Sequence, residues 1–315
     1  MKRRIFVEKC LAGGVALTAF PLYGRIEKLE SQTEFPKRIL GETGEKLSII
    51  GFGGILVSGV EQATANNMVA SAFERGINYF DVAPSYGNAQ DQLGPALKPY
   101  RDQCFLACKT LERDKAGAEK ELHESLKKLK TGHFDLYQLH ALTKKEDVEK
   151  AFGPNGAMET VLKAKQQGKI RFIGFSAHSE EAALLAMEKF DFDTILYPIN
   201  FVCWNQGNFG PKVVEKAKEK KMGILALKAL AFTGIPKGAK KPYDRLWYIP
   251  IEDKKVANLS VRFTLSQGVT AAIPPGDPGF WDIALDIAQN HKPVTNDEIA
   301  ELEKISAGVA PLFQA

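Results

Sequence analysis

Residues 104–140 read CFLACKTLERDKAGAEKELHESLKKLKTGHFDLYQLH, and the fold follows from how this stretch is built. Two short apolar runs, Cys104–Lys109 and Phe134–His140, bracket Lys115–Lys130, where Ala118, Leu122, Leu126 and Leu129 recur at spacings of three and four. Runs that are apolar almost throughout are strands covered on both faces. A strand, a helix and a second such strand form a parallel pair joined by a right-handed crossover. The alternation continues in both directions. Further strand-like runs fall at 48–52, 77–82, 170–175, 194–198, 223–227 and 270–273, and helical periodicity fills 66–75, 157–167, 180–189, 211–220 and 254–266. Eight such units in about 250 residues fit a closed (β/α)8 barrel, with an open doubly wound sheet as the competing architecture. Ahead of them KRILGETGEKLSIIGFGG (37–54) places Gly41-Glu42-Thr43-Gly44 between two short strands, a hairpin. The expected organisation is a leader and polar connector over 1–35 and one barrel domain over 36–315.

Composition agrees with a compact globular chain: 315 residues, 44% apolar and 25% charged. The net charge is +4, most of it from Lys2, Arg3, Arg4 and Lys9 against Glu8, so the body carries no basic footprint for nucleic acid. Of four cysteines, Cys10 lies in the leader. Cys104 and Cys108 sit at i and i+4 around a strand, which reads as two buried thiols and not as a metal pair or redox couple. The leader itself runs from MKRRIFVEK into the uncharged stretch 10–22, too short for the roughly 20 residues that span a bilayer. A positive segment before a short apolar one is a signal peptide, and adjacent Arg3 and Arg4 resemble a twin-arginine export signal, with Gly14-Val15-Ala16 the nearest cleavage candidate. The expectation is an exported, periplasmic protein with transient contact to that export machinery and no stable membrane insertion. A basic arm on a cytoplasmic protein is the alternative.

In a barrel of this kind the carboxyl ends of the strands converge on the axis, so polar residues that close apolar runs are the ones that carry chemistry. They are Asp81, followed by Val82-Ala83-Pro84-Ser85-Tyr86-Gly87, then Lys109, His140 and Ser176. Aspartate, tyrosine, lysine and histidine in this order form a proton-transfer set. A carbonyl that accepts hydride develops alkoxide charge and needs a proton, yet a free phenol with a pKa near 10 gives one up reluctantly. An ammonium at Lys109 beside Tyr86 lowers that pKa, Asp81 keeps the ammonium charged and oriented, and His140 hydrogen-bonds the substrate oxygen. Taken singly these residues also read as a structural ion pair, a rim aromatic and a core histidine. No strand-GxGxxG-helix unit is present, because Gly51-Phe52-Gly53-Gly54 has the wrong spacing, so a dinucleotide cannot be seated as in a Rossmann domain.

Through FDVAPSYG, Lys109-Thr110, DLYQLH, IRFIGFS and GVTAAIPPG the chain resembles the aldo-keto reductase superfamily over nearly all its length after residue 36. The resemblance implies a catalytic tetrad at Asp81, Tyr86, Lys109 and His140. It also implies an NADP(H) or NAD(H) cofactor lying across the barrel mouth, and a small-molecule carbonyl or alcohol substrate such as a sugar or small aldehyde. Ser176 would bind the carboxamide, Gly53 and Gly54 would line the nicotinamide end, and Asn290 would approach the adenine. Three departures stand out. Ala177-His178 replaces the asparagine expected after Ser176, so His178 is either a substitute or a loop residue. Leu227-Lys228-Ala229-Leu230 replaces a tyrosine-bearing run, leaving Lys228 to meet the pyrophosphate or to sit in solvent. The loop and helix over 274–290 carry Asp277, Asp282 and Asp286 with no Lys or Arg, and carboxylates there would repel a 2′-phosphate and could accept from a ribose diol, which makes NAD an alternative to NADP. Substrate contacts are sought among the aromatics Trp204, Tyr243, Trp247 and Tyr248, the last three in a long loop over 229–253. Rival readings are a metal-dependent barrel isomerase or hydrolase, and a nucleotide-binding sensor subunit without turnover.

Overall fold

A computed structural model describes residues 34–315. The leader readings at Arg3, Arg4 and 10–22 lie outside the described residues. The chain enters through an antiparallel hairpin, β1 (Lys37–Ile39) and β2 (Lys46–Ser48), whose turn places Gly41 and Gly44 at φ +52° and +79°. Eight strands follow in parallel: β3 (Phe52–Gly53), β4 (Tyr79–Asp81), β5 (Phe105–Thr110), β6 (Phe134–Leu142), β7 (Ile170–Ala177), β8 (Thr194–Pro198), β9 (Gly223–Leu227) and β12 (Ala271–Ile273). The sheet runs in the order β12-β9-β8-β7-β6-β5-β4-β3. A parallel bridge from Ile50 to Ala272 closes the ring, with the Ala272 N–H donating to the Ile49 carbonyl at 2.9 Å and the Gly51 N–H to the Ala272 carbonyl at 3.0 Å. Helices flank each crossover. The one at Lys115–Lys128 starts where the Asp114 carboxylate accepts from the Gly117 N–H at 2.9 Å, and it ends on Lys127 and Lys128, cations that suit the negative end of a helix.

Strand side chains alternate, and the two sets separate cleanly. Phe80, Leu106, Cys108, Tyr137, Leu139, Phe175 and Ile195 pack outward against the helices. Tyr79, Phe105, Ala107, Leu136, Leu196, Leu225 and Ala271 fill the interior. Leu40 and Leu47 of the hairpin are fully buried in that inner cluster and plug the amino end of the barrel. A Cβ at Gly223 would stand 2.4 Å from Leu40 Cδ1, so the plug fits only over glycine.

The eight strands and the hairpin stand where the sequence places them. The stretch over 229–253 is no plain loop, however. It is an antiparallel ribbon, β10 (Ala231–Gly234) and β11 (Tyr248–Pro250), that carries the chain across the carboxyl end of the barrel. Cys104, Cys108 and Cys203 are free and buried, and burial pushes the first two thiols up to about 12 and about 11. Among the described residues no helix is long and apolar enough to cross a membrane, and no group of three or more His, Cys, Asp or Glu could hold a metal ion.

Candidate active site

The inward set ends at the carboxyl side in polar residues: Tyr79 leads to Asp81, Phe105 and Ala107 lead to Lys109, Leu136 leads to Gln138 and His140, and Phe172 leads to Ser176. Neighbouring strands hold them in register, with Asp81 beside Ala107 and Lys109 beside Gln138. These five polar side chains are thus the top layer of the barrel filling. Lys109 is 0% and Asp81 2% exposed, and the ammonium makes a short charge-assisted contact with Asp81 Oδ1. The other carboxylate oxygen accepts from the Tyr79 hydroxyl at 3.3 Å and from Gln138 Nε2 at 3.2 Å. Tyr86 sits in the turn after β4, where its N–H donates to the Ala83 carbonyl at 3.1 Å. Gly87 follows at φ +60° against Ser58, which brings the phenol back over the axis. The Lys109 ammonium lies 5.8 Å from the Tyr86 ring centroid, and the His140 ring stands edge-on to the same phenol at 6.0 Å.

Burial pulls the Lys109 ammonium down, but the Asp81 carboxylate and the Tyr86 side chain outweigh it and hold the amine above its ordinary value. Burial pushes Tyr86 up, the ammonium pulls it down, and Asp81 pushes it up again, so the phenol ends above its ordinary value. This corrects the expected net lowering: the cation acts in the anticipated direction, and loss of water around the ring is the larger effect. The consequence is a phenol that keeps its proton at neutral pH. His140 is pushed down to about 2, first by burial and then by Lys109, so it is a neutral imidazole. Its Nδ1 is buried without a partner among the described residues.

Two positioning contacts escape sequence reading. Arg113 reaches from the loop after β5 and donates to the carbonyls of His140 and Ala141 at 2.7 and 3.2 Å. Ala141 has φ +53°, and its N–H donates to Ser176 Oγ at 2.7 Å. The β6 strand therefore kinks at His140 and is tied on both sides. Asn200, which follows β8, caps the short helix Phe201–Gly207 through Oδ1, and its Nδ2 is buried without a partner among the described residues.

A cavity of about 250 Å3 opens above this layer. Asp81, Tyr86, Gly53, Lys228, Trp247 and Tyr248 line it, beside apolar groups from β8, β9 and β12. Gly54 instead packs on Val82, where a Cβ would stand 2.8 Å away. Ser176 is buried, accepts from Ala141 and keeps its hydroxyl hydrogen to donate. His178 stacks on Phe313 at 5.4 Å, so it belongs to the wall built by the C-terminal tail. Lys228, at φ +71°, holds its ammonium 4.8 Å and 4.6 Å from the Trp247 and Tyr248 ring centroids. Arg245, which the sequence did not single out, binds the ribbon across the mouth by donating to the carbonyls of Leu56, Ser58 and Gly276 at 3.0, 2.6 and 3.5 Å.

Several expected contacts lie elsewhere. Asn290 caps the far end of the helix Pro278–Gln289, and the next residue, His291, meets Arg38 of the plugging hairpin at 2.9 Å, so Asn290 belongs to the closed end of the barrel. Trp204 is in the helix Phe201–Gly207 and packs edge-on to Phe263 at 5.9 Å, away from the cavity. Tyr243 packs on Phe280 at 5.1 Å and donates to Glu252. Of the three carboxylates at the helix Pro278–Gln289, Asp282 and Asp286 pair with Arg75 at 3.7 and 2.9 Å, and only Asp277, capping the helix, stands at the mouth end.

A closed (β/α)8 barrel with a buried lysine–aspartate pair beneath a tyrosine and a neutral histidine defines a class of proton-transferring sites at the strand ends. Residues 49–246 match the profile of the Aldo/keto reductase family, and the chain belongs to that family. It is 32% identical over 161 residues to aldo-keto reductase YhdN of Bacillus subtilis, a match covering 45% of this chain and 47% of that protein. It is 33% identical over 164 residues to L-galactose dehydrogenase of Arabidopsis thaliana, covering 46% and 49%. The chain thus spans about half the length of these curated relatives. Among solved structures, aldo-keto reductase AKR11C1 from Bacillus halodurans in its holo form superposes with a TM-score of 0.69 at 21% identity, over 89% of this chain and 99% of that one. The Bombyx mori aldo-keto reductase in complex with NADP gives 0.63 at 19%, over 86% and 92%. These likenesses carry the fold.

Proposed function

We propose that the protein is an NAD(P)-dependent oxidoreductase that moves hydride between nicotinamide and a small carbonyl or alcohol. The observation that carries this is the Lys109–Asp81 pair under Tyr86, beside a neutral His140, with Asp81 and Tyr86 lining a cavity. A nicotinamide dinucleotide supplies the hydride when bound, and the residues present suit one: Gly53 lines the cavity, and past the ends of β7 and β8 Ser176 keeps a hydroxyl hydrogen to donate and Asn200 an amide donor without a partner among the described residues. Ser176 and Asn200 would hold the carboxamide, which fills the place of the asparagine missing after Ser176. His140 donates a hydrogen bond to the substrate oxygen as a neutral imidazole. Tyr86 then passes its phenolic proton to that oxygen as charge develops, and the Lys109 ammonium stabilises the phenolate left behind. Asp81, fixed by Tyr79 and Gln138, keeps the ammonium in place. In oxidation the same phenolate takes the proton back.

NADP(H) and NAD(H) both remain in this reading. The Bombyx mori neighbour holds NADP, while the helix Pro278–Gln289 here offers Asp277 at its cap and no basic residue at the mouth end. The test is a fluorescence titration with NADPH and NADH, followed by consumption of the bound reduced form on adding aldehydes. Binding of one and its oxidation are expected. A protein that binds neither overturns the reading.

The leader supports export by the twin-arginine route to the periplasm, a folded-protein pathway that lets a cofactor loaded in the cytoplasm travel with the barrel. Replacing Arg3 and Arg4 by Lys should leave precursor inside the cell. Undiminished export of that variant overturns the proposal.

A further inference from the structure

The cavity lined by Tyr86 contains a cation that nothing in it neutralises. Three charged residues line it: Asp81, Arg245 and Lys228. Asp81 is paired with Lys109, and Arg245 donates to three backbone carbonyls. Lys228 has neither a carboxylate nor a carbonyl partner among the described residues; its ammonium is held only against the faces of Trp247 and Tyr248. Aromatic faces orient a cation without cancelling its charge. Burial pulls the amine down to about 8. The backbone at Lys228 adopts φ +71°, a conformation that residues with side chains avoid and that persists where the surroundings impose it.

The direction in which the ammonium faces matters for what it binds. Trp247 stands edge-on to Phe313 at 6.0 Å, Phe313 stacks on His178 at 5.4 Å, and burial first and the charge of Lys228 second hold that imidazole at about 4. His178 in turn acts on His140. A chain of ring contacts thus leads from Lys228 through Trp247 and Phe313 to His178, which follows β7, the strand paired with the one that carries His140. We propose that Lys228 anchors an acid group of the carbonyl substrate, so that the site reduces aldehydes or ketones bearing a carboxylate in preference to neutral ones of the same length. This rests on the oxidoreductase reading. A carboxylate there would accept charge-assisted hydrogen bonds from an ammonium that otherwise has none. The sequence alone offered a dinucleotide pyrophosphate as the anion, and the two sources are separable by experiment.

The probes are 4-oxobutanoate and butanal, which differ in the terminal carboxylate, assayed with the full chain and its reduced dinucleotide. The wild type should favour 4-oxobutanoate in kcat/KM, and succinate should compete with it. Lys228→Gln should lower kcat/KM for 4-oxobutanoate on the order of 30-fold, the lower end of what truncating one partner of a buried charged pair produces, and bring the two substrates close together. Lys228→Arg should restore the preference. Dinucleotide affinity, titrated by fluorescence without substrate, should change by less than about three-fold in the Gln variant, in contrast to the larger loss of a true phosphate contact. Equal losses on both substrates together with weakened dinucleotide binding would assign Lys228 to the pyrophosphate and overturn the proposal. A wild type without acid preference, or one that succinate does not inhibit, overturns it with no variant needed. Dinucleotide binding with no turnover of any carbonyl removes the oxidoreductase reading itself, whereas turnover without acid preference removes this inference alone.

Discussion

Lys109→Met removes the cation from a carboxylate that is 2% exposed and leaves a side chain of similar length in the barrel. Breaking a buried pair by deleting one partner costs ~3–5 kcal/mol, because the remaining charge stays buried. Asp81 keeps its bonds from Tyr79 and Gln138, which places the expected loss at the lower end, about 3 kcal/mol. Asp81→Asn should cost about as much by stranding the ammonium, which has no other ion-pair partner among the described residues. The double variant retains no buried charge at this point and should cost no more than either single change, a coupling near 3 kcal/mol. Urea unfolding followed by circular dichroism at pH 8 measures all four corners of this cycle. Additive losses, or a Lys109→Met variant within about 0.5 kcal/mol of the parent, would refute the buried pair as the keystone of the site.

With butanal as substrate, the rate of reduction should be flat from about pH 5 to 9, because His140 at about 2 stays neutral throughout and Tyr86 is held above its ordinary value near 10. A general acid is competent below its pKa, so raising that pKa moves the alkaline loss upward; an inflection between pH 6 and 7 would contradict a neutral His140. Leu40→Ala empties the plug at the closed end and should cost ~3 kcal/mol in urea unfolding while the rate of reduction persists, since the cavity lies at the other end. A variant that loses activity at full stability would contradict that division. Arg113→Met frees the carbonyls of His140 and Ala141 and should lower kcat roughly ten-fold, with dinucleotide affinity retained, by loosening the imidazole. An unchanged kcat would show that the β6 kink holds itself.

The barrel was legible because its strands are apolar runs and its helices carry three-and-four periodicity, two signals that local sequence contains. That Asp81, Lys109 and His140 come together was legible for a related reason: alternate residues of β4, β5 and β6 point inward, so the last inward polar residue of each strand lands in one layer, and the turn after β4 brings Tyr86 to it. Contacts made to backbone left no such trace. Arg113 and Arg245 bind carbonyls, and no residue pattern marks a carbonyl as an acceptor. Asn290 was misplaced because a helix of twelve residues carries its end from the mouth to the hairpin. Rotation along the same helix turns Asp282 and Asp286 outward to Arg75. Trp204 was misplaced because the short helix after β8 directs it at Phe263. The sign of the Tyr86 shift depended on how completely the ring is buried, a property of the assembled barrel and not of any neighbouring residue type.

Single-turnover oxidation of prebound reduced dinucleotide by an aldehyde, compared between the parent and Tyr86→Phe, isolates the step in which a proton must meet the incoming hydride. Removing one oxygen leaves the ring and the cavity in place, so dinucleotide affinity should hold while the rate falls at least ~100-fold, the scale of a lost general acid. A phenylalanine variant that reacts within about ten-fold of the parent would mean that the proton comes from elsewhere.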